Sequence, residues 1–211
     1  MSYPSINKLV VSGSSLSEFK HWLGGQPLDL KRITPIPEKL KETEERDGWR
    51  VLRHPDKFRK WVLKNWGTRG IGWAGDRIYQ NGNSDSFMMT EEAGKIVMIF
   101  ETNLTPPIAA LNTLSKKFPD LTFDLRFYCY ELDNVEIAKI KNGDTHDVSL
   151  KKKDPRFRQI VDELSVLSAK ASRSLIGHGA EKTKLDLEKM CKGQDAKGDG
   201  DGKKTEVKSK E

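Results

Sequence analysis

Hydrophobic and polar positions alternate most plainly in LTFDLRFYCY, where Leu121, Phe123, Leu125, Phe127 and Cys129 fall on one side and Thr122, Asp124, Arg126, Tyr128 and Tyr130 on the other. A period of two predicts a strand with one buried and one wet face. NKLVVS (7–12) reads as a short first strand, and the unbroken apolar run in GKIVMIFET reads as a central one. VEIAKIKNGDTHDVSL reads as a hairpin in which Asn142-Gly143 supplies the positive φ values of a type I′ turn.

Four segments switch to helical spacing. Leu16, Phe19, Trp22 and Leu23 follow a capping box of Ser15 and Glu18 and stop at Gly24-Gly25. Pro55 suits the first helical position of DKFRKWVLKNW, with Phe58, Trp61, Val62 and Asn65 on one face and Gly67 as the stop. Thr105 is placed to cap a helix opening at Pro106-Pro107, along which Ile108, Leu111, Leu114 and Phe118 recur until Pro119. From Pro155, the stripe Phe157, Ile160, Val161, Leu164, Leu167, Ala171 and Leu175 predicts a long amphipathic helix, interrupted at Gly177 and Gly179. Between these, LDLKRITPIPEKL reads as an extended sheet-edge segment because Pro35 and Pro37 restrict φ and remove donors, KETEERDG as a solvated connection and NGNSDS as a loop.

The order β, α, β, helical insertion, β, α, β predicts an α+β fold of the ferredoxin-like, split βαβ kind. It has an antiparallel sheet with helices on one face, an inserted helix, an extra hairpin and a long C-terminal helix. Residues 1–150 are expected to form this domain, 151–191 a helical extension and 192–211 a disordered tail with almost no apolar residues. In that tail Asp195, Asp199, Gly200 and Glu206 partly match a calcium loop, but Lys197 brings the wrong charge to a ligand position.

Composition changes this picture in one place. The chain of 211 residues is 36% hydrophobic and 32% charged with a net charge of +6, and the excess lies between Arg50 and Arg77. There Arg50, Arg53, Lys57, Arg59, Lys60, Lys64, Arg69 and Arg77 face only Asp56 and Asp76, interleaved with Trp49, Trp61, Trp66 and Trp73. Cations hold phosphates and exposed indoles stack on bases, so the cluster is a candidate nucleic-acid or partner surface. Trp61 and Trp66 are equally well spaced to anchor the helix to the sheet, with the lysines as its solvated side. Tyr128 and Tyr130, on the wet strand face, are further candidates by analogy with base-stacking sheets.

Other chemistry is poorly represented. Cys129 and Cys191 stand alone without a CxxC or Cys/His cluster, which predicts a reduced cytoplasmic protein with no metal and no cofactor. No long apolar run suits a leader or a membrane span. Gly70-Ile71-Gly72-Trp73-Ala74-Gly75 spells GxGxxG, yet a helix leads into it and no strong helix pattern leads out, the reverse of a dinucleotide fingerprint. His21, His54, His146 and His178 sit singly, and neither GxSxG nor HExxH occurs, so no catalytic constellation is recognisable.

Taken together, NKLVVSG, ITPIPEKL, WVLKNWGTR and TPPIAALNTLSKKFPDLTFDLRFY resemble the plasmid- and phage-borne family named for the YubB ferredoxin-like domain, over about Asn7 to Tyr130. Asn7 matches the asparagine of that family's opening motif, and Glu131-Leu132-Asp133 stands where its members have a Glu-Pro-Gly turn. The resemblance implies a small α+β domain of mobile genetic elements and no particular reaction. The expected function is therefore non-enzymatic binding to a host or defence-system protein. The alternative is nucleic-acid binding through residues 50–77, and a hydrolase or nuclease is a third reading.

Overall fold

A computed structural model describes residues 4–24, 28–46, 49–69 and 88–169, all within one compact unit, Met1–Ser172. Its six-stranded antiparallel sheet has the order β4-β5-β1-β6-β7-β8, formed by β1 (Pro4–Gly13), β4 (Met88–Glu92), β5 (Lys95–Asn103), β6 (Leu121–Cys129), β7 (Asn134–Lys141) and β8 (Asp144–Leu150). A separate hairpin pairs β2 (Thr43–Arg46) with β3 (Trp49–Leu52). The helices are α1 (Leu16–Leu23), α2 (Leu30–Ile33), α3 (Glu38–Lys41), α4 (Pro55–Trp66) and α5 (Ile108–Lys117), and α6, described over residues 155–169.

The middle of the sheet is apolar on both sides. Leu9 and Val11 of β1, Ile96, Met98 and Phe100 of β5 and Phe123 and Leu125 of β6 pack with Phe19 of α1 and Leu111 and Leu114 of α5. On the opposite face Ile6, Ile99, Tyr128 and Val135 pack with Phe157, Ile160 and Leu164 of α6. Helices therefore cover both faces, a correction to the expectation of one. The wet face of β6 is wet only in part. Asp124 keeps partial exposure, whereas Tyr128 is buried and Arg126 reaches Glu163 of α6. A third cluster, Leu30, Ile36, Phe58, Val62, Trp66 and Ala110, joins α2, α4 and α5.

Several local expectations are met. The sequence NG closes β7 to β8 with φ of 47° at Asn142 and 83° at Gly143, α4 opens on Pro55 and ends at Gly67, and α5 ends against Phe118 and Pro119. Others are corrected. The segment 28–41 forms α2 and α3 instead of an edge strand: Asp29 accepts from Lys31 N at 2.9 Å to start α2, and the prolines separate the two turns. The strand beside β5 is β4, whose sequence MMTEE lacks the alternation of a buried strand and borrows its order from the β5 ladder. TEER pairs as β2 with β3 where a solvated connection is expected. Neither helix cap is made as drawn: Ser15 lies 3.3 Å from Asp120, with no side-chain cap on α1, and Thr105 donates to Gly67 O at 2.8 Å, a bond that ties α5 to α4. Residues 70–87, with GxGxxG, and 170–211, with the tail, lie outside the described residues.

Inside the sheet, β1 carries two buried polar residues. Asn7 Nδ2 donates to Thr102 Oγ1 at 2.9 Å and Phe100 O at 3.2 Å on β5, while Asn7 Oδ1 and Ser5 Oγ have no hydrogen-bond partner.

Glu163 fastens α6 to the sheet. It accepts from Lys8 of β1 at 2.6 Å and from Arg126 of β6 at 2.5 Å. Burial alone would raise its carboxyl, but these two cationic donors outweigh burial and hold it below the usual carboxylate range. Because the folded pKa is depressed, the stabilisation is present above the unfolded value and is lost as pH falls through the folded one. Glu163→Gln is expected to lower unfolding free energy by about 1–2 kcal/mol at neutral pH and to flatten the loss of stability below about pH 5, as read from urea titrations across pH. Leu164, fully buried in the same contact, gives a second check: Leu164→Ala is expected to cost about 3 kcal/mol and to shift the unfolding midpoint of the whole unit.

Candidate nucleic-acid interface

The composition of α4 dictates how it sits. Phe58, Val62 and Trp66 recur at four-residue spacing and are buried, so the opposite side of the helix must face water. Trp66 is 1% exposed and its Nε1 donates to Thr34 O at 3.0 Å. Trp61 is half-buried and meets Trp66 edge-on, with ring centroids 5.6 Å apart. At the helix end Gly67 adopts φ of 83°, and a Cβ there would lie 2.9 Å from Pro106 O and 3.0 Å from Ile108 N. Only glycine permits so close a joint between α4 and the start of α5.

Lys57, Lys60 and Lys64 project from the outer side of α4, with Arg69 just beyond, and all four are exposed. None forms an ion pair among the described residues. Their neighbours differ: Arg53 pairs with Glu42 at 3.1 Å and with Glu44 at 3.9 Å, and Arg59 with Asp56 at 3.8 Å. The free cations thus form a line along one helix, and the paired ones lie to its side.

The remaining candidates separate. Trp66 belongs to the core and offers no surface to a ligand, a correction to its place among the candidates. Tyr128, 7% exposed beneath α6, is likewise closed to a ligand; burial, then the Asp133 carboxylate, pushes its phenol above the ordinary value. Tyr130 is 43% exposed and its hydroxyl shares a hydrogen bond with Ser165 at 3.2 Å, on the far side of the sheet from α5. The side chains of Trp49 and Arg50, and all of Trp73 and Arg77, lie outside the described residues.

One feature that patterning does not foretell adjoins Lys64. A groove of about 640 Å3 runs from Lys64 and Asn65, past Thr105 and Pro106, to Asn112 and Thr113 of α5 and to Glu136 and Thr145 of the β7–β8 hairpin. Asn112 Nδ2 donates to Gly143 O and to Thr145 Oγ1, fixing the hairpin against α5. Four chain segments supply the lining, and no spacing in the sequence links them.

Among the described residues no three His, Cys, Asp or Glu side chains gather closely enough to hold a metal, and no helix is long and apolar enough to cross a membrane. Comparison with known family models, with curated proteins and with solved structures finds no match.

The joint at Gly67 sets the position of Lys64 and Asn65 against α5. Gly67→Ala is expected to destabilise the fold by about 2 kcal/mol, through left-handed strain and the contact with Pro106, measured by thermal or urea unfolding.

Proposed function

We propose that this protein is a binding module whose ligand is a polyanion, with nucleic acid as the class that best fits, held along the outer side of α4. The observation that carries the reading is the line of Lys57, Lys60, Lys64 and Arg69, exposed and without carboxylate partners among the described residues. Uncompensated cations along a rigid helix gain counterion-release free energy from a phosphate backbone, and need no particular base sequence to do so. Neither Trp66 nor Tyr128 offers a stacking platform, so electrostatics supplies most of this affinity.

A protein partner, the host or defence component implied by the resemblance to the YubB family, is the second reading. It is favoured by the β6–β7 turn, where Leu132 is 60% and Tyr130 43% exposed while Asp133 beside them is tied to Lys152. Scattered exposed apolar residues are ordinary on surfaces, so this reading rests on less. A cytoplasmic setting belongs to both. For the fold we propose the ferredoxin-like description for β1, α1, β4, β5, α5 and β6. The strand order β4-β5-β1-β6 with β1 antiparallel to both neighbours supports it, with β7, β8 and α6 as additions.

Binding of a labelled oligonucleotide, followed by anisotropy from low to physiological salt, is expected to weaken steeply with salt. Replacing Lys57, Lys60 and Lys64 together by Ala is expected to cost about tenfold or more at low salt and to reduce the salt slope by about 2–3. An unchanged slope in the triple variant, or no binding at low salt, overturns the reading.

A further inference from the structure

The groove beside Lys64 has a hydrogen-bonding character that its two asparagines determine. Asn65 donates its Nδ2 to Trp61 O at 2.8 Å, and Asn112 donates its Nδ2 to Gly143 O. A carbonyl oxygen only accepts, so in each side chain the nitrogen must be the atom turned to the backbone and the amide oxygen the free end. Neither oxygen receives a hydrogen bond from a described residue. Glu136 adds a carboxylate, one oxygen of which accepts from Asn134 at 2.7 Å and the other of which is open. Thr113 spends its hydroxyl proton on Ala109 O at 3.1 Å, leaving lone pairs. The groove therefore presents free acceptors, two amide oxygens, a carboxylate oxygen and a hydroxyl oxygen, beside donors at the Lys64 ammonium, the second N–H of Asn65 and the Thr145 hydroxyl.

We propose that this groove receives an unpaired, amino-bearing nucleobase (adenine, cytosine or guanine) of a single strand whose phosphates lie along α4. The exocyclic amino group donates to the free amide and carboxylate oxygens, the Thr145 hydroxyl is available to an acceptor nitrogen of the base, and the strand's phosphate meets Lys64 at the rim. A space of about 640 Å3 accommodates one base with its sugar, and to enter it the base must leave any duplex stack. An arginine or lysine side chain of a protein partner would also bring donors, but it would have to settle beside Lys64 and the unpaired cations of α4, which repel it. The inference rests on the polyanion reading of α4 and adds to it the strandedness and base chemistry of the ligand.

The test compares an oligodeoxyadenosine with the same oligomer built from purine deoxyriboside, which lacks only the 6-amino group, at one fixed salt concentration. Charge and length are identical, so α4 treats the two alike. The wild-type protein is expected to bind the adenine oligomer about three- to tenfold more tightly, and Asn65→Ala, which keeps a good helix former in α4, is expected to remove that preference while preserving the salt slope. Glu136→Gln is expected to reduce the preference in part. The fully paired duplex of the adenine strand is expected to show no dependence on the amino group. Equal affinity for the two oligomers, or a preference that survives in Asn65→Ala, overturns the groove assignment and leaves the polyanion reading standing. Failure to bind either oligomer at low salt overturns both.

Discussion

The pairing of β1 with β5 on one side and β6 on the other is the constraint from which the rest of the unit follows. β1 has no free edge, its residues alternate between two interiors, and each interior needs a cover. Leu9 and Val11 require α1 and α5, while Ile6 requires α6. The ladders run the length of the strand, from Ser5 opposite Thr102 and Cys129 to Ser12 opposite Lys95 and Thr122. The remaining strands of the six-stranded sheet attach, directly or in turn, to a strand ordered by this one, including β4 with its weakly apolar sequence.

That dependence explains which parts of the fold could be read from residues. β6, the β7–β8 hairpin, α4 and α5 each carry a local signal strong enough to act alone: strict alternation, an Asn-Gly turn, four-residue apolar spacing, a proline or glycine at the boundary. β4 does not, because Met88 to Glu92 becomes a strand only by pairing with β5. The α2–α3 segment was obscured by its prolines, which exclude a central strand but fit two short helical turns equally well. The partition of β6 into buried and wet faces was legible, but not the fate of the wet face, since covering it depends on α6 returning across the sheet from Pro155. Charge shows the same division. The excess of cations near α4 was countable in the sequence; which of them pair with Glu42, Glu44 or Asp56 and which stay free is set by tertiary placement.

The candidate site illustrates how a surface arises as a by-product of packing. Trp66 and Gly67 lock α4 to α5 for reasons of volume and backbone geometry, and that lock leaves Lys64 and Asn65 beside Asn112. The hairpin is held there by the same Asn112 amide that shapes the groove. Residues that support the interface are thus also residues that support the fold, so mutational tests require the stability of each variant alongside its binding.

The buried amide of Asn7 bears on which competing structures the chain avoids. Alternation along β1 excludes a slip of one position, because Lys8 would enter the core and Leu9 would leave it. It says little about a slip of two, which restores apolar residues to apolar surroundings. In the displaced pairing that sets Asn7 opposite Met98, its amide would move away from Thr102 and Phe100 O and lie against hydrocarbon, leaving a buried donor unmet at a cost of about 1–3 kcal/mol. The unpartnered Oδ1 and Ser5 Oγ make the native arrangement less stable than an apolar pair would, yet the Asn7 amide makes that displaced arrangement worse. In folding terms the amide acts as a proofreading element: it separates the native ladder from near-copies that hydrophobicity cannot tell apart.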